Sequence, residues 1–133
     1  MSKLDELMNF QQTALSVRGM RQQLLASNIA NADTPNYKAR DIDFNEVLKS
    51  KLQLGASQSS TPLAKTSASH MDPSGALDGV TPKYRTMVQG SVDGNTVDMD
   101  LERNAHADNA VRYEAGLTMI NMQIRNMLAA IQG

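Results

Sequence analysis

The acids and histidines are the side chains here that could support catalysis or hold a metal, and their spacing argues against both. Asp93, Asp98 and Asp100 lie in the run Asp93-Gly94-Asn95-Thr96-Val97-Asp98-Met99-Asp100, which superficially suggests a calcium loop. Such a loop needs regularly spaced oxygen ligands, a central glycine and a terminal glutamate, and that pattern is not met. Asp98, Asp100 and Glu102 suit instead a helix cap and first-turn acids, which favour the positive end of the helix dipole. His70 and His106 are too widely separated to form a metal pair, and each reads as a solvated or hydrogen-bonded side chain. With no cysteine, neither a disulfide framework nor a thiolate site can form. No Ser/His/Asp arrangement, phosphate-binding Gly-rich loop or nucleophile elbow occurs. The chain is expected to be no enzyme, with no cofactor, no metal and no small-molecule substrate.

What remains is the hydrogen-bonding chemistry of amides, concentrated in Ser27–Phe44, SNIANADTPNYKARDIDF. Asn28 and Asn31 are three apart and share one helix face. Asparagine bonds back to nearby main chain and tolerates left-handed angles, so it often ends helices. Pro35 lacks an amide donor and pushes Thr34 out of the helical region. Asp33-Thr34-Pro35-Asn36 therefore predicts a turn, with Asn36 at positive φ and Tyr37 following it.

Two long helices must flank that turn. Leu4, Leu7, Phe10, Ala14, Val17, Leu24 and Leu25 recur at three- and four-residue steps, predicting an amphipathic helix that ends near Ile29. Ser2 is its expected cap, with Asp5 and Glu6 in the first turn. Arg18 and Arg21 interrupt the stripe and are expected to snorkel from a solvated flank, or else to meet acids of a neighbour. Beyond the turn, Asp43 and Glu46 have the form of a capping box, with Ile42 and Val47 spaced as a hydrophobic staple. A short helix from Phe44 to about Leu52 follows, burying Val47, Leu48 and Leu52.

Residues 55–82 are rich in Ser, Ala, Thr, Gly and Pro, and such a composition buries too little to offset backbone ordering. A loop of that length inside one domain is unusual and is easier to explain as a segment that orders against neighbours. Tyr84, Thr86 and Val88 alternate like a short strand, and Gly90 and Asp93-Gly94-Asn95 supply turn residues. The last helix is the most regular element. Ala110, Tyr113, Leu117, Ile120, Ile124, Met127 and Ile131 form a seam at alternating three- and four-residue steps, the period of a left-handed coiled coil. Val111, Ala115, Met119 and Met122 lie off it. Two apolar faces imply burial on more than one side, and a chain of 133 residues has nothing left to cover the second. That predicts assembly.

The expected fold is mainly α, with the two terminal helices paired as an antiparallel coiled coil around a short helix and an irregular, partly extended middle. The expected divisions are 1–32 for the first helix, 33–54 for the turn and short helix, 55–97 for the middle and 98–133 for the last helix. Net charge is −1, from 13 basic and 14 acidic residues, and aromatics are only 4%. No basic stripe or aromatic platform points to nucleic acid. Nine methionines make an adaptable core that does not by itself specify one packing. No run approaches a membrane span, and no basic-then-apolar start predicts a cleaved signal.

Asn28-Ile29-Ala30-Asn31-Ala32-Asp33-Thr34-Pro35-Asn36-Tyr37 resembles the N-terminal signature of the bacterial flagellar rod and hook family, a helix ending in SN-[IL]-AN before a T-P-G-[YF] turn. Lys38–Phe44 is most similar to the proximal-rod members of that family, and Asp93–Asp100 resembles their entry into the C-terminal helix. Asn36 stands where the family usually has glycine. The resemblance implies a structural subunit of the basal-body rod in the periplasm, exported without a cleaved signal. It would polymerise through its terminal helices into a tube that transmits torque and passes exported subunits. The partners implied are other copies, other rod proteins, the membrane-ring protein or its adaptor, and the flagellar export apparatus. The alternatives are a soluble coiled-coil adaptor that binds a partner helix, and an exported effector using the same route.

Overall fold

The computed structural model describes residues 2–56, 80–86 and 91–133. His70, Val88, Gly90 and most of the Ser/Gly-rich middle lie outside the described residues. Three helices account for most of the rest: α1 (Ser2–Ala30), α2 (Phe44–Ala56) and α3 (Met99–Gln132). Two short strands, β1 (Arg40–Asp41) and β2 (Lys83–Tyr84), pair antiparallel with Arg40 opposite Tyr84 and Asp41 opposite Lys83. The chain is mainly helical.

Local chemistry sets several boundaries. Asp98 caps α3, accepting from the amides of Asp100 and Leu101 in extended backbone before the first turn. Asp43 caps α2 through the amides of Asn45 and Glu46, at 3.0 and 3.2 Å. The return half of the expected capping box is replaced by another bond, because the Glu46 carboxylate takes Lys83 Nζ at 2.7 Å. α2 also continues past Leu52 to Ala56, since no proline blocks its amides before Pro62. Ser2 is the first residue of α1, where the sequence suggested it as the cap.

The core has two sides. Val17, Met20 and Leu24 of α1 are buried with Ile42, and Phe44, Val47 and Val80 pack against them. This places the middle of the α1 stripe, and Met20 with it, against the α2 region. The α1–α3 contact uses the neighbouring face and is tight and partly polar. A Cβ on Gly116 would come within 3.0 Å of Leu15 Cδ2, and one on Gly19 within 3.9 Å of Tyr113. Asn109, fully buried, donates to Arg18 O and Gln22 Oε1, and the Gln22 amide donates in turn to His106 Nε2. Partners descend along α1 as they ascend along α3, from Asn28 with Glu102 to Leu15 with Gly116. Among the described residues no helix is long and apolar enough to cross a membrane.

Candidate assembly site: a polar clasp at the turn

The turn after α1 is built as its residues require. Tyr37 N–H donates to Thr34 O at 3.3 Å across Pro35 and Asn36, and Asn36 has φ 61°. Proline then a positive φ is the arrangement of a type II turn. Asn31 ties it to the helix, its amide bonding Ser27 O and its Oδ1 accepting from the Thr34 hydroxyl.

The segment before α3 closes over this turn. Asn36 N–H donates to Asp93 O at 2.9 Å, Thr96 N–H to Tyr37 O at 3.0 Å, and Ala39 N–H to Thr96 Oγ1 at 2.8 Å. Lys38 Nζ reaches Gly94 O at 2.6 Å. Asn95 sits at the centre, 5% exposed, with Nδ2 within 2.8–2.9 Å of the carbonyls of Asn31, Ala32 and Thr34. Helix ends leave carbonyls short of amide partners; Asn95 is the donor described for Ala32 O and a second donor to Asn31 O and Thr34 O, which also accept the amides of Thr34 and Tyr37. The Asn95 Oδ1 accepts from Val97 N–H, fixing which way the amide faces.

Asn28 does the same one turn lower. Its amide donates to Arg40 O and Glu102 Oε2, and its Oδ1 accepts from Arg40 N–H and the Tyr37 hydroxyl. That uses both donors and both acceptor positions of a fully buried side chain. Neither alanine nor aspartate reproduces the set.

An ion network continues outward from Asn28. Arg21 holds both oxygens of Asp41 at 3.1 and 3.2 Å, and Arg85 Nη2 meets Asp41 Oδ2 at 2.8 Å. The other Arg85 nitrogen binds Glu102, which is fully buried. Burial pulls the Asp41 pKa up, but the bonds from Arg21 and Arg85 outweigh it and leave the carboxyl below its ordinary value. At Glu102 burial prevails over Asn28 and Arg85, and the pKa is raised. Arg21 therefore meets an acid of its own chain, and Arg18 lies 4.0 Å over the Phe44 ring; neither is on a solvated flank. Glu102 belongs to the first turn of α3 but serves as a buried partner for the Arg85 strap.

Residues 8–38, covering most of α1 and the turn, match the family model for the flagella basal body rod protein. The whole chain is 44% identical to the flagellar basal body rod protein FlgB of Salmonella typhimurium, over 100% of this chain and 98% of that protein. The chain belongs to the FlgB family. The FlgB proteins of Escherichia coli K12 and Proteus mirabilis HI4320 are each 47% identical over 99% of this chain, and 97% and 98% of theirs. A FlgB-type chain is a structural subunit of the flagellar basal-body rod, not an enzyme. The two stretches that carry the resemblance, around Asn28–Tyr37 and Asp93–Asp100, are the two halves of the clasp.

The other sequence-selected residues are distributed along the helices. Ala14, Ala110, Tyr113, Leu117, Ile120 and Met127 are half-buried, whereas Leu7, Phe10, Ile124 and Ile131 are exposed. Sequence reasoning took Asn95 only as a turn residue inside the second matching stretch, and gave Arg85 and Asp41 no role. Gly94 adds a test of the clasp. Its φ is +76°, and a Cβ there would fall 2.5 Å from Asn36 Oδ1. The Asn36 side chain can move aside, but the backbone angle remains. Gly94→Ala should therefore cost ~1–2 kcal/mol, the usual left-handed penalty, and Gly94→Asn distinctly less. Urea unfolding followed by circular dichroism reads both, and an alanine variant as stable as its parent would refute the account.

Proposed function

We propose that this subunit polymerises through α1 and α3, paired as an antiparallel coiled coil, into a tube that carries torque and passes exported subunits. The observation that supports this most is the apolar surface left open along α3. Val111, Met119, Met122, Leu128 and Ile131 are all more than half exposed, Ile131 at 81%. A run of that kind on one helix marks an interaction surface. Methionine suits it, because its unbranched side chain adapts to a neighbour's shape. Repeated heterologous contacts of one subunit on the next give an open helical assembly.

The clasp residues Asn28, Asn31, Thr34, Pro35, Asn36 and Tyr37 hold the joint between the helices at a fixed angle. The seam from Ala110 to Ile131, with Leu7, Phe10, Ala14, Val17 and Leu24 of α1, supplies the packing. On this reading residues 1–32, 33–54, 55–97 and 98–133 make one assembly domain in all. Its partners are other copies, other rod proteins, the membrane-ring protein or its adaptor, and the export apparatus. It works in the periplasmic rod after export without signal cleavage.

Two substitutions test the reading together. Ile120→Asp, in the half-buried seam, and Met122→Asp, on the open face, should both abolish motility and recovery of the chain in basal bodies, while export continues. Met122→Asp should also leave the isolated chain's circular dichroism unchanged, because Met122 has little packing to lose. Functional rods built from either variant would count against these faces as assembly surfaces.

A further inference from the structure

Asn109, Gln22 and His106 cross the α1–α3 contact as one chain of hydrogen bonds. Asn109 Nδ2 donates to Arg18 O at 2.9 Å and to Gln22 Oε1 at 2.7 Å, and Gln22 Nε2 lies 2.8 Å from His106 Nε2. The Arg18 carbonyl sets the direction of every bond in it. A carbonyl oxygen can only accept, so the Asn109 atom that faces it is the nitrogen. An amide nitrogen can only donate, so the Gln22 atom beside it is the oxygen. Gln22 therefore turns its own amide hydrogens toward His106, whose Nε2 has to accept. Only a neutral imidazole with its proton on Nδ1 can do that. Turning Gln22 over sets nitrogen against nitrogen at Asn109. Turning Asn109 over with it sets an oxygen against the Arg18 carbonyl.

We infer that His106 is a pH-sensitive latch between α1 and α3: neutral, it accepts from Gln22 and completes the contact; protonated, it sets a second donor against Gln22 and loosens it. Of the other helices and strands, only α1 packs against α3 among the described residues. The charged side chains of α1 within a turn of Gln22 are Arg18, over Phe44, and Arg21, on Asp41. On α3, Glu102 is engaged by Arg85 and Asn28, Asp108 holds Arg112, and Arg103 is an exposed cation. No carboxylate within a turn of His106 or of Gln22 is left without a cation to favour an imidazolium. Loosening has a further cost at Asn109. It is fully buried, and its Oδ1 has no partner among the described residues, so its two donated bonds are all that answer its polarity. The latch acts inside one subunit and does not depend on how subunits join.

The tautomer tests this directly. Long-range proton–nitrogen correlation spectra of the full chain at about pH 8, assigned by sequential connectivity, should show His106 protonated on Nδ1 and bare on Nε2. A free imidazole prefers the reverse. An Nε2-protonated ring, or averaging between the two forms, overturns the assignment, and this reading needs no substitution. Stability supplies the second arm. A free histidine takes up its proton near pH 6.5, and a folded state that must stay neutral binds fewer protons than the unfolded chain and loses ground as pH falls. The folded-to-unfolded ratio of the parent, measured against that of His106→Gln, should therefore drop about tenfold between roughly pH 7.5 and 5.5. Asp41 and Glu102 remain in both chains, so the comparison isolates residue 106. Gln22→Glu should reverse the sign, because a carboxylate accepts from Asn109 and from an imidazolium alike, and that chain should gain on the parent in acid. A parent that keeps pace with His106→Gln, or a Gln22→Glu chain that weakens in acid as the parent does, overturns the latch.

Discussion

Asn95→Ala is expected to lose about 1–2 kcal/mol of folding stability. The figure follows from what the amide leaves behind. Ala32 O loses the donor described for it, a loss of ~1–3 kcal/mol for a buried acceptor, whereas Asn31 O and Thr34 O keep the amides of Thr34 and Tyr37. The estimate stays near the lower end because Asn31 and Ala32 are only half-buried and Thr34 is exposed, so water recovers part of the loss. Asn95→Asp separates hydrogen bonding from packing. Its shape is the same, but an ionised carboxylate would point at three carbonyl oxygens with no proton to offer. That carboxyl should have a raised pKa, so Asn95→Asp should be worse than alanine at neutral pH. As pH falls through the raised value the group becomes a donor and stability returns. Denaturant midpoints of the parent and the two variants at neutral and acidic pH decide it. Equal losses for Ala and Asp at both pH values would mean that the amide protons are not what closes the joint.

How much of this was legible in the sequence depends on how far apart the interacting groups are. Features decided within a few residues were readable: the break at Pro35, the positive φ of Asn36, the Asp98 cap and the Asp43 cap are consequences of neighbouring backbone. Periodicity also gave which residues of a helix share a face, but not what that face meets. Val17 and Leu24 lie on one stripe, and their packing partners are Ile42, Phe44 and Val80 as well as whatever covers α1 from α3. Arg18 and Arg21 had marked the stripe as impure; the reason is an Asp41 and a Phe44 contributed after the turn. The joining of Asn95 to the end of α1 spans more than sixty positions, from residue 31 to residue 95. No single-sequence pattern encodes such a pairing. Arg85 was hidden for another reason: the alternation of Tyr84, Thr86 and Val88 drew notice to the opposite side of its strand. Glu102 looked like a dipole acid because nothing local signals that a first-turn glutamate will be covered.

Arg85 carries the other large effect. Arg85→Met should cost about 3 kcal/mol, within the range for removing one partner of a buried ion pair, and discounted because Arg85 itself is about a quarter exposed. Most of the loss is the Glu102 charge, left fully buried with Asn28 its one remaining hydrogen-bond partner among the described residues and Arg21 acting on it only through charge. The pH dependence distinguishes this from simple loss of packing. Asp41 has a lowered pKa, so it stabilises the fold above its ordinary value of 3.8 and that contribution fades as pH falls. Glu102 has a raised pKa, so its ionisation works against folding above its ordinary 4.5 and the penalty lifts as pH falls through the higher value. Without Arg85 the Asp41 benefit shrinks and the Glu102 penalty grows. The deficit of Arg85→Met against the parent should therefore be greatest at neutral pH and narrow in acid as Glu102 takes up a proton. Adding Glu102→Gln keeps an acceptor for Asn28 and removes the buried charge. The double variant should recover much of the loss, giving a coupling of about 1–3 kcal/mol between the two positions, and its remaining deficit should no longer narrow in acid. Additive losses, or a deficit that is flat with pH in the single variant, would mean that Arg85 holds the strap by contact area and not by answering the charge on Glu102.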